Sequence, residues 1–283
     1  MTTTSDASAA AARPAEEFLR AFHDRAPGLQ SAGAGSSRTA DGRTSYQMLA
    51  GRVPQARRVL DLGCADGALL QVLAEGGAEV LAGIDLSEGE LALARRRPAL
   101  ATADLRHGRA QQLPFRNGSF DTVVSHMALM LMEDVEQVAA EVARVLAPGG
   151  TLAVAVGGGP VAGEAMELFL ALARPHFKAT PTELRMPRLG DRRTRQREGL
   201  DEILAPAGFE PVSWEQIVID MGGTPEEVWK ANSGTFYDMV ELDEDRSGRL
   251  HDAFMEESRP LLTPDGRLPC GMRINIATTR LRD

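Results

Sequence analysis

The 283-residue sequence predicts an α/β chain built on a doubly wound, mostly parallel sheet. Three observations carry that expectation. Short, near-continuous apolar runs such as Arg58–Leu62 (RVLDL) and Val80–Ile84 (VLAGI) read as strands buried on both faces. They alternate with stretches of helical periodicity, which makes βαβ units whose right-handed crossovers place helices on both faces. The first run breaks at Gly63–Gly67 just before a helix, where open α/β sheets bind ligands.

Taken in order, residues 1–13 are small, polar and alanine-rich, and read as a disordered tail. Glu16–His23 carries Phe18, Leu19 and Phe22 at helical spacing. Ser31–Arg43 is rich in Gly, Ser and Ala and reads as a mobile loop, and Thr44–Val53 is helical again. From Arg58 the pattern changes. A strand over 58–62 is followed by a helix over Ala68–Glu75, stopped by Gly76-Gly77. The second strand, 80–84, ends at Asp85. Ser87–Arg97 is a helix opened by a capping-box-like Ser87…Glu90. Leu105–Gly108 and Thr122–Ser125 are the third and fourth strands. A helix over Val135–Leu146 and the turn Pro148-Gly149-Gly150 lead to a fifth strand, Thr151–Val156. Further on, Val161–Ala173 and Gly199–Ala205 are helical, Pro211–Met221 alternates as a strand, Pro225–Leu242 and Leu250–Leu262 read as helices, and Arg273–Thr279 closes as a strand.

Composition narrows the function classes. With 43% apolar and 25% charged residues the chain can bury a substantial core. A net charge of −9 argues against nucleic acid or an anionic membrane surface as partner. No apolar run is long enough to span a bilayer, and the N-terminus lacks the basic and apolar regions of a secretory signal. Two cysteines, Cys64 and Cys270, make neither a disulfide framework nor a cysteine-rich metal site, so no metal is expected and the reducing cytoplasm is the natural compartment. Lys178 and Lys230 are the only lysines among 31 Lys and Arg, a bias that hints at a GC-rich genome.

The chemistry concentrates at Val59–Gly67 (VLDLGCADG). Gly63 lets the chain turn sharply and a ligand approach without a Cβ in the way, and the helix beyond Gly67 presents free N–H groups. Asp85, ending the second strand, is placed to take both hydroxyls of a ribose. The loop is not G-x-G-x-x-G, which disfavours a nicotinamide dinucleotide. The segment resembles motif I of the class I S-adenosylmethionine (SAM)-dependent methyltransferases, an acid followed by G-x-G-x-G. Asp85 matches the acid ending their second strand. His107–Phe115 (HGRAQQLPF) with Gly118–Asp121 (GSFD) resembles the "GDAxxLPF…SFD" stretch of the small-molecule branch that includes the ubiquinone/menaquinone methyltransferases, and Val145–Gly150 (VLAPGG) resembles its "LKPGG" turn.

The resemblance implies a Rossmann-like seven-stranded sheet, mostly parallel with an antiparallel last strand. It spans residues 58–283, with helical lid segments at residues 14–57 and about 224–262. The cofactor it implies is SAM, held by Asp61, Gly63, Cys64, Ala65, Gly67, Asp85, Leu86, Arg109, Ala110 and Ser125. Two of these depart from the family: Ala65 replaces the middle glycine, and Arg109 stands where the family has an acid near the adenine amine. Ala110 still offers its backbone N–H to the ring.

SAM carries the activated methyl, so the protein must align the acceptor, and a general base is needed only if the acceptor loses a proton. The candidate bases are His126, just after the fourth strand, and His23 in the first helix. His107, His176 and His251 read as structural or exposed. Around the acceptor we expect His126, Met127 and Met130, an adaptable apolar wall. Trp229, Phe236 and Tyr237 are expected either to cover a planar acceptor or simply to dock their helix. Asp191–Arg197 is a basic run that reads as a solvated face, or as the partner of an anionic acceptor. The expected reaction is methyl transfer to an O or N atom of a small molecule in specialised metabolism, by a monomer or homodimer. C-methylation of a quinone-like or prenylated ring, and a SAM-bound cyclase that transfers no methyl, are the alternatives.

Overall fold

A computed structural model describes residues 13–283. The disordered-tail expectation therefore lies outside the described residues except at Arg13, which caps the first helix and pairs with Asp134 at 2.5 Å. Seven strands form one sheet: β1 (Arg58–Leu62), β2 (Val80–Asp85), β3 (Asp104–His107), β4 (Phe120–His126), β5 (Leu146–Pro160), β6 (Ser213–Asp220) and β7 (Gly271–Arg280). Their order is β3-β2-β1-β4-β5-β7-β6. The first five are parallel, and β7 runs antiparallel between β5 and β6. The order reverses between β1 and β4, so the loops leaving these two strands part there and open a crevice.

The apolar runs become strands because they can be buried on both sides. Val59, Leu60 and Leu62 of β1 are at most 1% exposed. On one face, α4 (Ala68–Glu75), α5 (Glu88–Ala94) and α3 (Ser45–Ala50) press Leu69, Leu70, Leu91 and Leu49 against the sheet. On the other, α6 (Val135–Val145) and α8 (Arg197–Leu204) contribute Val138, Val142, Leu200 and Ile203. A separate cluster joins α7 (Ala165–Ala179), α9 (Pro225–Thr235) and α10 (Glu244–Glu257) around Phe169 and Phe254. Among the described residues, no helix is long and apolar enough to cross a membrane, and no group of His, Cys, Asp and Glu could hold a metal ion.

Beyond shifted boundaries, such as β5 taking in the expected turn at 148–150, three segments near the cavity differ from the sequence expectation. Ser31–Arg43 is not simply a loop, because α2 (Leu29–Ser36) occupies its first half and Arg38 bridges to Asp220 at the end of β6. Its small residues gain their helix from tertiary contact: α2 packs on α9, and Gln30 Nε2 donates to the Gly234 carbonyl at 2.8 Å. Pro225–Leu242 is two elements. The helix α9 stops at Thr235, after Ser233-Gly234, and residues 237–241 form a 3₁₀ turn. The Ser87…Glu90 pair is half a capping box. Ser87 Oγ accepts the Glu90 N–H, but the Ser87 N–H is already taken by Asp85 Oδ1 at 2.8 Å, so the Glu90 side chain turns elsewhere.

Candidate active site

The crevice widens into a cavity of about 590 Å³ with mostly apolar walls, large enough for a cofactor and a modest acceptor. Its floor is made by the loops at the carboxyl ends of the strands. Gly63 and Ala65 follow β1, Asp85 ends β2 with Leu86 after it, Arg109 and Ala110 follow β3, and His126 ends β4 with Met127 after it. Its roof is α1 (Pro14–Arg25), α2 and the stretch from α9 to Tyr237. Met130, Met272 and Ile274 complete the side walls.

Backbone geometry sets the floor. Gly63 has φ 69°, and a Cβ there would stand 2.4 Å from the Cβ of Ala128. The turns after β1 and β4 can touch only because residue 63 has no side chain. Ala65 (φ 45°) and Met127 (φ 57°) hold the left-handed conformation without being glycine. Such strain persists only where the surroundings impose it, and both residues face the cavity. Ala65 is held by its N–H, which donates to Asp85 Oδ2 at 2.9 Å. With the Ser87 N–H on Oδ1, this fixes the Asp85 carboxylate at the floor. Burial pushes its pKa up against those two hydrogen bonds.

Asp61 lies deeper. Its carboxyl is fully buried, Oδ1 has no hydrogen-bond partner, and burial plus the nearby Asp85 push its pKa well above the carboxylate range. That burial favours its neutral form, and Asp61 is not among the residues lining the cavity. What the cavity floor offers SAM is a glycine-lined turn and, in Asp85, an aimed acid for a ribose.

Not every expected site residue faces the cavity. Cys64 is buried against Gly83, and burial pushes its thiol pKa up. Ser125, also buried, ties β1 to the turn after β4: its Oγ donates to the Leu62 carbonyl at 3.0 Å and accepts the Leu129 N–H at 3.1 Å. Gly67 caps α4 and shapes the turn from behind. Trp229 and Phe236 do not reach the cavity. They pack on Phe169 with centroids 5.6 Å away, and Trp229 also meets Phe254 at 5.8 Å. Of the two roles expected for these rings, this geometry serves docking. Tyr237 does line the cavity.

The two candidate bases have different surroundings. Nε2 of His126 is 2.9 Å from Ser45 Oγ, and its ring lies 4.3 Å from that of Tyr46. Burial lowers its pKa to about 4, so it is neutral at pH 7. His23 joins three elements. Nδ1 is 3.1 Å from Glu90 Oε1 and Nε2 is 3.0 Å from the Tyr237 hydroxyl. Glu90 is 1% exposed and also accepts the Gly28 N–H at 2.9 Å. Arg109 does not stand alone, because its guanidinium pairs with Glu16 of α1 at 2.7 Å. His107 bonds the Leu86 carbonyl, and His251 sits between Asp252 and Glu226.

Sequence reasoning missed Glu16, Ser45, Tyr46 and Glu90. A carboxylate at a helix start reads as ordinary dipole compensation, and Glu90 read as half of a cap. Only the folding of α1 and α3 against the strand ends gives these residues a second role.

Residues 60–154 match the family described as "Methyltransferase domain". Over 107 residues the chain is 37% identical to a demethylmenaquinone methyltransferase of Listeria monocytogenes, covering 36% of this chain and 45% of the relative. Over 116 residues it is 36% identical to a malonyl-(acyl-carrier protein) O-methyltransferase of Enterobacter lignolyticus, covering 39% and 44%. The chain thus spans less than half the length of these curated relatives. Among solved structures, the (4+2)-cyclase SpnF superposes with a TM-score of 0.57 at 22% identity, covering 96% of this chain and 98% of that one, which is a likeness of fold.

Proposed function

We propose that this chain is a class I SAM-dependent methyltransferase that methylates an oxygen or nitrogen atom of a small, largely apolar molecule; the match of residues 60–154 to a methyltransferase domain supports the reading. One observation carries the reading. The Asp85 carboxylate is aimed by two backbone N–H groups at the floor of a largely apolar cavity that three helical segments roof over.

When bound, SAM supplies a methyl activated by a sulfonium. Gly63 and Ala65 would leave room for it, Asp85 would hold its ribose hydroxyls and the Ala110 N–H its adenine, with Asp61 buried behind the turn. The roof excludes water. Met127 and Met130 adapt to the acceptor's apolar body. His126 accepts a hydrogen bond from the acceptor and takes its proton as the new bond forms. A base with so low a pKa does not deprotonate the free acceptor; it acts only as attack acidifies the proton. The same reading places the reaction in specialised metabolism and in the cytoplasm, in keeping with two buried free cysteines.

The test is calorimetry with SAM, S-adenosylhomocysteine and NAD. We expect binding of the two sulfur compounds, no binding of NAD, and an affinity loss of about 100-fold in Asp85→Ala, the effect of losing a buried, charge-assisted contact. Unchanged affinity in that variant would overturn the assignment. Recovery of SAM unchanged after turnover of an acceptor would move the chain to the non-methylating alternative.

A further inference from the structure

Resting on the SAM reading, we propose that Glu16 of α1 binds the adenine amine of the cofactor, so that the roof reads the base. The starting point is Asp85, where that reading puts the ribose. The Gly108 N–H donates to the Asp85 carbonyl at 2.9 Å, so the chain after β3 leaves the sheet directly beside the ribose acid. Leu86, Gly108, Arg109 and Ala110 all line the cavity on this side. A base attached to a ribose on Asp85 therefore lies against residues 108–110. The Ala110 N–H makes no hydrogen bond among the described residues, which leaves one backbone donor there. Adenine presents ring nitrogens that accept and, beside them, an amine that donates. Ala110 can meet a ring nitrogen. The amine needs an acceptor, and the Arg109 side chain can only donate.

Glu16 supplies that acceptor from α1. Its Oε1 takes two N–H groups of Arg109, Nε at 2.9 Å and Nη2 at 2.7 Å. Its Oε2 has no hydrogen-bond partner among the described residues. Glu16 lines the cavity, and its side chain is only 12% exposed, so the spare oxygen is largely shielded from bulk water. A shielded carboxylate oxygen with unused lone pairs favours a donor, and a hydrogen bond to it is charge-assisted. Arg109 does not take the amine itself but holds the carboxylate that does. The consequence is coupling. Glu16 belongs to the roof, whereas Asp85 and Ala110 belong to the floor. A ligand with an amine on its base adds a tie between the two, and one without it does not.

The experiment is calorimetry on the full chain with S-adenosylhomocysteine and with its analogue lacking only the 6-amino group. Wild type should bind the amine-bearing ligand at least about ten-fold more tightly, the effect of a charge-assisted hydrogen bond in a shielded site. Glu16→Ala should bring the two ligands to within about two-fold of each other, and Glu16→Gln, which keeps a carbonyl but not the charge, should retain part of the preference. Arg13→Ala cuts a different tie of α1, the pair with Asp134, and should weaken both ligands alike. Hydrogen exchange in α1 should slow more with the amine-bearing ligand in wild type and equally with both in Glu16→Ala. Equal affinity of the two ligands for wild type, or a preference that survives in Glu16→Ala, would overturn the contact. Failure of S-adenosylhomocysteine itself to bind would overturn the SAM reading, and the contact with it.

Discussion

The floor and the roof of the cavity are held by different forces. The floor is backbone: strand ends fixed by parallel pairing, and a turn after β1 that touches the turn after β4. The roof over the cofactor side is tied mainly by side chains. Arg13 pairs with Asp134, Glu16 with Arg109 and His23 with Glu90, while Asp24 Oδ1 accepts from Ser87 Oγ at 2.6 Å. Only Ala15 and Leu19 of α1 are buried apolar residues. A floor of this kind tolerates no change of shape. A roof held by a few ion pairs opens at modest cost, which is what substrate entry requires.

The largest effect should come from breaking the floor. Gly63→Val places a branched side chain in the left-handed region and into Ala128. SAM affinity should fall by more than about 100-fold, since the two turns must separate. Calorimetry with S-adenosylhomocysteine measures this directly, and near-normal binding would mean that the floor is pliable.

Next is the part of the roof that is core. Trp229→Ala should lower stability by about 2–4 kcal/mol, because the ring fills the cluster around Phe169 and Phe254. SAM affinity in the folded variant should be unchanged. A selective rise in acceptor KM without a drop in Tm would instead return Trp229 to the acceptor's cover.

His126 belongs to the floor, and pH probes it. Its folded-state pKa, about 4, lies below the ordinary 6.5 of a free imidazole. Between those values the unfolded chain takes up a proton that the folded chain refuses. The stability linked to His126 is therefore intact above pH 6.5 and is lost as pH falls to about 4, by up to roughly 3 kcal/mol. Denaturant titrations of wild type and His126→Asn across that window should diverge by this slope, and parallel curves would show that His126 is well solvated.

The same division explains what the sequence revealed. Strand period, the broken turn at Gly63 and the acid at Asp85 are local patterns, so the β1–β5 half was legible, including most of the cofactor floor. The roof was not. Leu29–Ser36 has no helical signature of its own and folds against α9, and Trp229 and Phe236 have the same spacing whether they face a ligand or Phe169. Ser125 was expected at the cofactor, but a buried hydroxyl that ties β1 to the turn after β4 looks the same in sequence. The match to the methyltransferase domain ends at residue 154, before the cavity walls formed by α9, Tyr237, Met272 and Ile274, so what the cavity takes beside a cofactor was the least legible feature.

The smallest effect tests the tie between roof and floor. Arg109 stands where the methyltransferases this chain resembles have an acid, and Glu16 brings a carboxylate beside it from α1. Both groups line the cavity, with side-chain exposures of 30% and 12%, so the pair is partly screened and is worth about 1 kcal/mol. Glu16→Gln should weaken SAM about three- to ten-fold, largely through faster release as α1 lifts, with little change in Tm. Raising salt from about 0.05 to about 0.5 M should weaken wild type and leave the variant nearly unaffected, since the Debye length shrinks below the span of the roof contacts. The exchanged pair, Glu16→Arg with Arg109→Glu, separates two causes. Recovery of affinity would show that the latch alone matters, whereas persistent loss with a restored salt response would show that the Glu16 carboxylate itself contacts the cofactor.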